Sequence, residues 1–339
     1  MEEKFVTIKD IAQKLGISVS SVSRALHNHP SISLKTRNKV RSLAKQLGYI
    51  PSSPAISFQR GKTGTIGVIV PKLSEPFFAT ALSAIENIAT QRNYKIIFGQ
   101  SLDTEEKEKE LVERMLHHRV EGLLISISKK TMNYSHLDAL KRNHLPVVYF
   151  DCIPHQKNIH YVVCDLRNGT IEAMNYLLRK GHRTIGLING PPSLFASMER
   201  EDGYFRALTM KRLKIDRSLI VSSDLSEAGT INAIETLLAK KKPPTAIITF
   251  NDFTAIYVIN HLRKTNKYKK DLEFVSYANM PILKFMEYGP SASVEQFPYR
   301  QGEKSTEILL DLIQQKNVIT SEPSAFFKVY VETQLIEKE

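Results

Sequence analysis

The 339-residue sequence predicts a small helical N-terminal segment followed by a larger α/β portion that folds as two lobes. Two observations carry this prediction. Apolar residues recur at helical spacing in three short runs before residue 50, and from Thr65 onward short apolar runs alternate with amphipathic stretches. The later runs form two sets of about four, as expected for two parallel sheets flanked by helices. The length also indicates two or three domains.

The first predicted helix begins after Thr7, because Asp10 three residues later completes the pattern of a capping box. Gly16 ends this helix, and Ser18 is the natural N-cap of the second. One face of the first helix consists of Ile8, Ile11, Ala12 and Leu15. Two helices separated by a short glycine turn have the spacing of a helix-turn-helix.

A third helix is predicted between Ser33, as a possible cap, and Gly48, with Val40, Leu43, Ala44 and Leu47 on one face. The inward residues of the second helix are expected to be Val22, Ala25 and Leu26, which leaves Val19, Ser20, Ser23 and Arg24 facing outward. Three helices of this size make a small core.

Most of the excess positive charge lies in this N-terminal segment. The chain has a formal net charge of +12, and residues 1–63 hold eleven Lys and Arg against three carboxylates, a net charge of +8. Between Asp10 and Glu75 there is no carboxylate at all. A segment without acidic side chains avoids repulsion from a phosphate backbone, so we expect it to bind nucleic acid.

The second helix has the chemistry of a recognition helix. Short hydroxyl side chains, here Ser20, Ser21 and Ser23, can bond phosphate or base without holding the backbone away from the groove. Arg24 lies one turn further on and can reach O6 and N7 of guanine with its two-pronged guanidinium. The alternative interpretation is that these serines are ordinary surface residues of a small helical bundle.

A Pro- and Ser-rich stretch, PSSPAISFQRGKT (51–63), predicts a linker. We therefore divide the chain into a headpiece (1–50), a linker (51–63) and a large domain (64–339). Within the large domain we expect one lobe, the N-lobe, to comprise about 64–164 and 292–324. The other lobe, the C-lobe, is expected to comprise about 165–291 and 325–339.

The large domain is expected to bind a ligand between its lobes, because ligands of open parallel sheets lie beyond the carboxyl ends of the strands. No GxGxxG, GxSxG or HExxH motif occurs, so we predict no catalytic residues, no cofactor and no metal site. Cys152 and Cys164 are interpreted as reduced thiols. The chain shows no secretory leader and no membrane-length apolar run, which favours a cytoplasmic protein without membrane contact.

The motifs TIKDIA (7–12), GISVSSVSRAL (16–26) and LGYIP (47–51) resemble the headpiece of the lactose-repressor (LacI) family of bacterial transcription regulators. The resemblance runs through almost the whole chain. It implies that Val19, Ser20 and Arg24 read bases. It also implies that Thr7, Ser18, Ser23 and Tyr49 hold phosphates.

For the linker, the resemblance implies a hinge helix that orders on DNA and presses an apolar side chain into the minor groove. Phe58 matches that wedge, and Ala55 matches a small residue beside it. The alternative is that Phe58 packs on the large domain.

For the large domain, EPFF (75–78), KGHRTIG (180–186) and EREDGY (199–204) resemble the family's effector domain, which is similar to periplasmic sugar-binding proteins. The resemblance implies that an effector contacts Phe77, Phe78, Arg200 and Asn251, with Asp151 and Asp165 near the cleft. Two positions depart from the family pattern: Ala278 replaces an aspartate that takes sugar hydroxyls, and Cys152 replaces an arginine. A carbohydrate-like effector is expected, and Arg200 is equally compatible with an acidic ligand.

The resemblance implies a regulator, expected to be a repressor, whose affinity for a pseudo-palindromic double-stranded operator changes when a small molecule binds. A homodimer is expected rather than a tetramer held by a coiled coil, because no leucine heptads follow the last strand-like run at 326–331. The alternative function is that of a solute-binding or enzymatic α/β protein with an incidental basic segment.

Overall fold

The computed structural model describes residues 6–49, 63–268, 271–316 and 325–338. The chain divides into two compact units, Met1–Thr63 and Gly64–Glu339. The predicted hinge helix, with Ala55 and Phe58, lies outside the described residues.

The headpiece contains three helices: α1 (Ile8–Leu15), α2 (Val19–Leu26) and α3 (Leu34–Gln46). The backbone N–H of Thr7 donates to Asp10 Oδ2 at 2.7 Å, and Gly16 adopts a left-handed conformation (φ 61°) that ends α1. Ser18 Oγ accepts the backbone N–H of Ser21 at 3.1 Å and so caps α2. The predicted inward residues form the core, which comprises Ile11, Ala12, Val22, Ala25, Val40 and Ala44.

The N-lobe is a six-stranded sheet in the order β11-β5-β4-β3-β1-β2, flanked by helices. Its strands are parallel, as the alternation of strands and helices predicts. Its elements in chain order are β1 (Thr65–Val70), α4 (Pro76–Gln91), β2 (Lys95–Gln100), α5 (Glu105–His117), β3 (Leu123–Ile125), α6 (Asp138–Arg142), β4 (Val147–Phe150), β5 (His160–Cys164), α11 (Pro298–Lys316) and β11 (Lys328–Val331).

The C-lobe is a second six-stranded sheet, in the order β12-β10-β9-β8-β6-β7. Five strands run parallel, and β12 pairs antiparallel with β10 at one edge. Its elements are α7 (Leu166–Arg179), β6 (Ile185–Asn189), α8 (Phe195–Met210), β7 (Ile220–Ser222), α9 (Glu227–Leu238), β8 (Ala246–Thr249), α10 (Asp252–Lys264), β9 (Glu273–Tyr277), β10 (Ala292–Glu295) and β12 (Gln334–Glu337). Short 3₁₀ turns cover Ser135–Leu137, Arg217–Leu219 and Pro281–Phe285.

Two strands, β10 and β11, do not lie in the lobe that we predicted for them. We expected 292–324 in the N-lobe and 325–339 in the C-lobe, but β10 pairs with β9 of the C-lobe and β11 pairs with β5 of the N-lobe. A four-residue apolar strand carries no signal of which sheet it joins, because backbone hydrogen bonds made in three dimensions decide its partner. The other domain boundaries stay predictions.

Each lobe buries apolar residues on both faces of its sheet, which explains why its strands read as continuous apolar runs. Among the described residues, no helix has the length and apolar character needed to cross a membrane.

Candidate nucleic-acid interface and effector cleft

One face of α2 is open to solvent, and the opposite face holds it in the headpiece. Val22 and Ala25 are fully buried, whereas Ser20 and Arg24 are exposed and Val19 is 40% exposed. The predicted outward residues of α2 therefore form one surface, apart from Ser23, which is half-buried.

The serines of α2 have different roles within the headpiece. Ser18 Oγ accepts the Ser21 amide and lies 2.8 Å from Ser20 Oγ and 2.9 Å from Ser21 Oγ. These contacts hold the first turn of α2 in place. Because the first turn of a helix directs free N–H groups and a partial positive charge outward, this end of α2 is suited to a phosphate.

Thr7 and Tyr49 flank the three helices. Thr7 is exposed, and its hydroxyl donates to Asp10 Oδ2 at 2.7 Å. Tyr49 is half-buried against the headpiece core, and burial raises the pKa of its hydroxyl. The Tyr49 hydroxyl therefore stays protonated near neutral pH and can donate a hydrogen bond.

In the large domain, a cavity of about 440 Å³ opens at the carboxyl ends of strands from both sheets. Phe77 and Asn251, two of the expected effector contacts, line it, and their contact with an effector stays a prediction. The lining is largely aromatic and apolar, with a few amide and carboxylate groups, which is the usual character of a small-molecule site. Within the described residues, no group of three or more His, Cys, Asp or Glu is placed to hold a metal ion.

Asn251 is the N-cap of α10 and offers an amide to the cavity. Its Oδ1 accepts both the backbone N–H and the hydroxyl of Thr254, each at 2.9 Å. Because Oδ1 is occupied, Asn251 can offer a ligand the hydrogens of Nδ2.

Phe78 and Arg200 are not among the residues that line the cavity. Phe78 is buried in the N-lobe core, 5.2 Å from the Phe77 ring and 6.5 Å from the Phe150 ring. Arg200 is buried in the C-lobe, with its guanidinium carbon 4.1 Å from the ring centre of Phe250 and 4.2 Å from that of Tyr277. Their role in binding an effector stays a prediction.

Burial dominates the electrostatics around Arg200. Burial lowers the pKa of the Arg200 guanidinium, and Arg200 Nε has no hydrogen-bond partner in the described structure. Burial also raises the pKa of Asp151 to about 6, and Asp151 Oδ2 accepts from Cys152 Sγ at 3.3 Å. Asp165 instead caps α7, since its Oδ1 accepts the Asn168 amide at 3.0 Å.

The cavity wall also contains the position at which the family's aspartate is missing. Ala278 lines the cavity in a left-handed conformation (φ 100°), followed by Asn279 (φ 48°). Asn279 Nδ2 donates to Glu295 Oε2 at 2.9 Å, and its backbone N–H donates to Ser293 Oγ at 2.9 Å. At this position the Asn279 amide, hydrogen-bonded to the Glu295 carboxylate, therefore stands beside the ligand space.

Several lining residues escaped the sequence analysis, namely Phe253, Asn279, Glu295, Phe297 and Tyr299. Glu295 is the last residue of β10, Asn279 and Phe297 follow the ends of β9 and β10, and Phe253 and Tyr299 lie in the first turns of α10 and α11. The carboxyl ends of apolar runs were the available signal, but β10 had been placed in the wrong lobe.

Comparison with known proteins agrees with these observations. Residues 7–52 match the family model "Bacterial regulatory proteins, lacI family". Residues 63–328 match "Periplasmic binding proteins and sugar binding domain of LacI family". The chain is 30% identical to the HTH-type transcriptional repressor CytR of Escherichia coli (strain K12), over 94% of this chain and 92% of that protein. It is 31% identical to catabolite control protein A of Priestia megaterium, over 93% of this chain and 95% of the relative.

The fold is shared with solved structures of lower sequence identity. The lac repressor dimer bound to operator and the anti-inducer ONPF superposes with a TM-score of 0.82 at 23% identity, covering 98% of each chain. The complex of the regulator CelR with cellobiose gives a TM-score of 0.71, also at 23% identity and 98% coverage of each chain. From its headpiece, its two-lobed domain and these matches, the chain belongs to the LacI family of DNA-binding transcriptional regulators and is not an enzyme.

Proposed function

We propose that this regulator reads its operator with the exposed face of α2 and that a small molecule in the 440 Å³ cavity changes the operator affinity. The observation that carries the proposal is the headpiece surface: Val19, Ser20 and Arg24 face solvent above a fully buried apolar scaffold. A helix presented in this way can enter the major groove with its N-terminal side chains toward the bases.

In this proposal the side chains have unequal roles. Val19 can meet a thymine methyl group and Ser20 can offer one hydroxyl, whereas Arg24 can make a bidentate contact to guanine. Thr7, Ser18, Ser21, Ser23 and Tyr49 position the headpiece on phosphates. For Phe58 and Ala55 we propose the minor-groove contact that the family resemblance implies.

The effector is proposed to bind in the cavity that Phe77 and Asn251 line and to contact both of them. Contacts with Phe78 and Arg200 are proposed on the family resemblance. A carbohydrate-like molecule is proposed, because aromatic and amide groups together stack on and hydrogen-bond to sugars. The periplasmic-protein family match supports the same class. Phe77 and Asn251 come from different lobes, so a bound ligand can alter the angle between the lobes.

We further propose that the protein works in the cytoplasm as a homodimer on a pseudo-palindromic operator. The dimer in the lac repressor structure supports this assembly, since a two-fold dimer places two recognition helices on two half-sites.

The test is selection of duplexes from a random-sequence library by the full chain, followed by titration of the selected site with candidate sugars. Enrichment of a palindrome whose affinity changes with one sugar is expected. Linkage requires that the operator change the affinity for that sugar by the same factor, which calorimetry measures. Selection that enriches no palindrome would refute the DNA-reading proposal, and an operator affinity unmoved by any bound ligand would refute the effector proposal.

A further inference from the structure

A second concentration of positive charge lies in the C-lobe, far along the chain from the headpiece. The segments 179–184, 211–219, 239–245 and 263–268 together hold thirteen Lys and Arg and a single carboxylate, Asp216. The whole of residues 64–339 has a net charge of only +4, from thirty-six Lys and Arg against thirty-two carboxylates. Within residues 64–339, positive charge is therefore concentrated in these four segments. We call these four segments the basic edge.

The four segments lie at one edge of the C-lobe sheet. They follow α7, α8, α9 and α10 and lead toward β6, β7, β8 and β9, which are neighbours in the order β9-β8-β6-β7. Thr245 N donates to Thr184 O at 2.8 Å, and His182 Nδ1 lies 2.9 Å from Thr245 Oγ1. Hydrogen bonds from Ser218 lower the pKa of Asp216, and the charges of Lys240 and Lys214 lower it further. Segments 211–219 and 239–245 are therefore close enough for their charges to interact.

Most of these cations have no carboxylate partner. Lys180, Arg217 and Lys267 pair with Glu273, Glu201 and Glu235. The other ten form no ion pair within the described chain, and nearly all are exposed. Helix dipoles do not account for them, because each helix end carries about half a negative charge and four ends sum to about −2.

The composition of the basic edge fits a phosphate backbone better than a protein surface. Protein interfaces are enriched in aromatic residues and depleted in lysine at their centre, whereas Ile215 is the exposed large apolar side chain within these described segments, with Met210 beside them. Four neighbouring strands, spaced about 4.8 Å apart, span roughly 15 Å. Over that length a duplex presents about nine phosphate charges, comparable with ten unpaired cations.

We propose that the basic edge is a second DNA-contacting surface, which binds the phosphate backbone of double-stranded DNA without sequence preference. It is separate from the operator-reading face of α2 and does not depend on the effector. With the headpieces on an operator, it would let the regulator hold a second stretch of duplex.

The test uses the full chain with its headpieces occupied by a stoichiometric amount of operator duplex, so that no free operator competes at the basic edge, and a labelled duplex of unrelated sequence as the probe. One variant neutralises the basic edge: Lys211→Gln, Arg212→Gln, Lys241→Gln and Lys242→Gln. The matched control removes the same charge from exposed N-lobe positions: Arg92→Gln, Lys95→Gln, Lys107→Gln and Arg142→Gln. Equal thermal unfolding midpoints verify that both variants are folded.

The wild type and the control are expected to capture the probe, and the basic-edge variant is expected to lose capture. The slope of log affinity against log salt should fall by up to about 3.6, at about 0.9 per phosphate contact removed. Equal losses in the two variants, or no loss in either, would overturn the proposal. Loss of binding to polyglutamate with unchanged capture of the duplex would overturn it too, by identifying a surface for acidic proteins.

Discussion

Arg24 is exposed to solvent on a helix whose opposite face is buried. Its neighbours one residue on and two residues back, Ala25 and Val22, are completely buried, so the helix face that carries Arg24 cannot rotate without exposing the core. Val19 and Ser20 are too short for a bidentate contact, so Arg24 is expected to be the strongest base reader of this helix.

Replacing Arg24 with alanine is expected to cost about 1–3 kcal/mol on the selected operator and to relax preference at one base pair per half-site. Fluorescence anisotropy on operator and random duplexes measures both effects. Lys45→Ala on α3 serves as the control, since loss of an exposed cation away from α2 should weaken both duplexes alike. The same uniform loss for Arg24→Ala would make Arg24 a phosphate contact instead.

Arg200 presents the opposite case, a cation held between two aromatic rings inside the C-lobe. Replacing it with methionine keeps most of the stem packing and removes a buried charge, so the free energy of unfolding is expected to stay equal or rise. Arg200→Ala leaves a cavity between Phe250 and Tyr277 and is expected to cost about 2–4 kcal/mol. Urea denaturation compares the two, and an equal cost for both would show that the guanidinium makes a required polar contact.

At the scale of elements, close helix packing in the C-lobe depends on one glycine. A Cβ on Gly203 of α8 would lie 2.4 Å from the backbone oxygen of Arg167 and 2.8 Å from Thr170 Cβ, both in α7. Backbone atoms cannot yield locally, so the two helices would have to move apart.

We therefore expect Gly203→Ala to lower the free energy of unfolding by about 1–3 kcal/mol through overpacking. Gly289→Ala is the matched control, because its Cβ would meet no atom closer than 3.9 Å. Urea denaturation of the two variants provides the comparison, and equal stabilities would contradict the close-packing argument.

The start of α10 joins three elements through Asp252. Its carboxylate accepts the Met280 backbone N–H at 2.7 Å, the Ser293 hydroxyl at 2.8 Å and the Ser276 hydroxyl. Burial outweighs these hydrogen bonds and raises the pKa of Asp252 to about 6, with Glu295 raising it further.

Because the folded pKa lies above the ordinary value of 3.8, the native state holds a proton that the unfolded chain has lost between about pH 4 and pH 6. Asp252 should therefore lower the free energy of unfolding as pH rises through this range, by about 3 kcal/mol at 1.36 kcal/mol per unit. Asp252→Asn removes the titration and replaces one of the two accepting oxygens with an amide that only donates, a loss that does not vary with pH. Urea denaturation measures the free energy of unfolding of the wild type and of Asp252→Asn at pH 4.5 and 7. The stability advantage of the wild type at pH 4.5 should shrink or reverse at pH 7. A difference that does not change with pH would contradict a raised pKa.

At the scale of the whole molecule, the headpiece and the large domain have separate hydrophobic cores. Residues 64–339 are expected to fold alone, to unfold at the main transition of the full chain and to keep any effector binding. Effector at 100 times its dissociation constant should add about 2.7 kcal/mol of stability to both proteins. Calorimetric scans measure this, and loss of the transition in the fragment would show that the headpiece is part of one cooperative unit. The fragment should lose its preference for operator over random duplex.

The sequence alone was sufficient for the features that depend on neighbours along the chain. The three headpiece helices, their caps at Thr7 and Ser18, the buried positions of α2 and the two-sheet alternation follow from local periodicity and turn chemistry, which act within a few residues. The excess of positive charge before Glu75 likewise follows from the sequence alone.

Tertiary structure decided what depends on partners distant in sequence. It placed β10 in the C-lobe and β11 in the N-lobe, buried Phe78 and Arg200, which do not line the cavity, and brought Asn279, Phe297 and Tyr299 to the cavity wall. It also gathered four separate lysine- and arginine-rich segments at one edge of a sheet. No local pattern encodes these positions, because strand pairing and burial are set by contacts between residues that can lie a hundred or more positions apart in the chain.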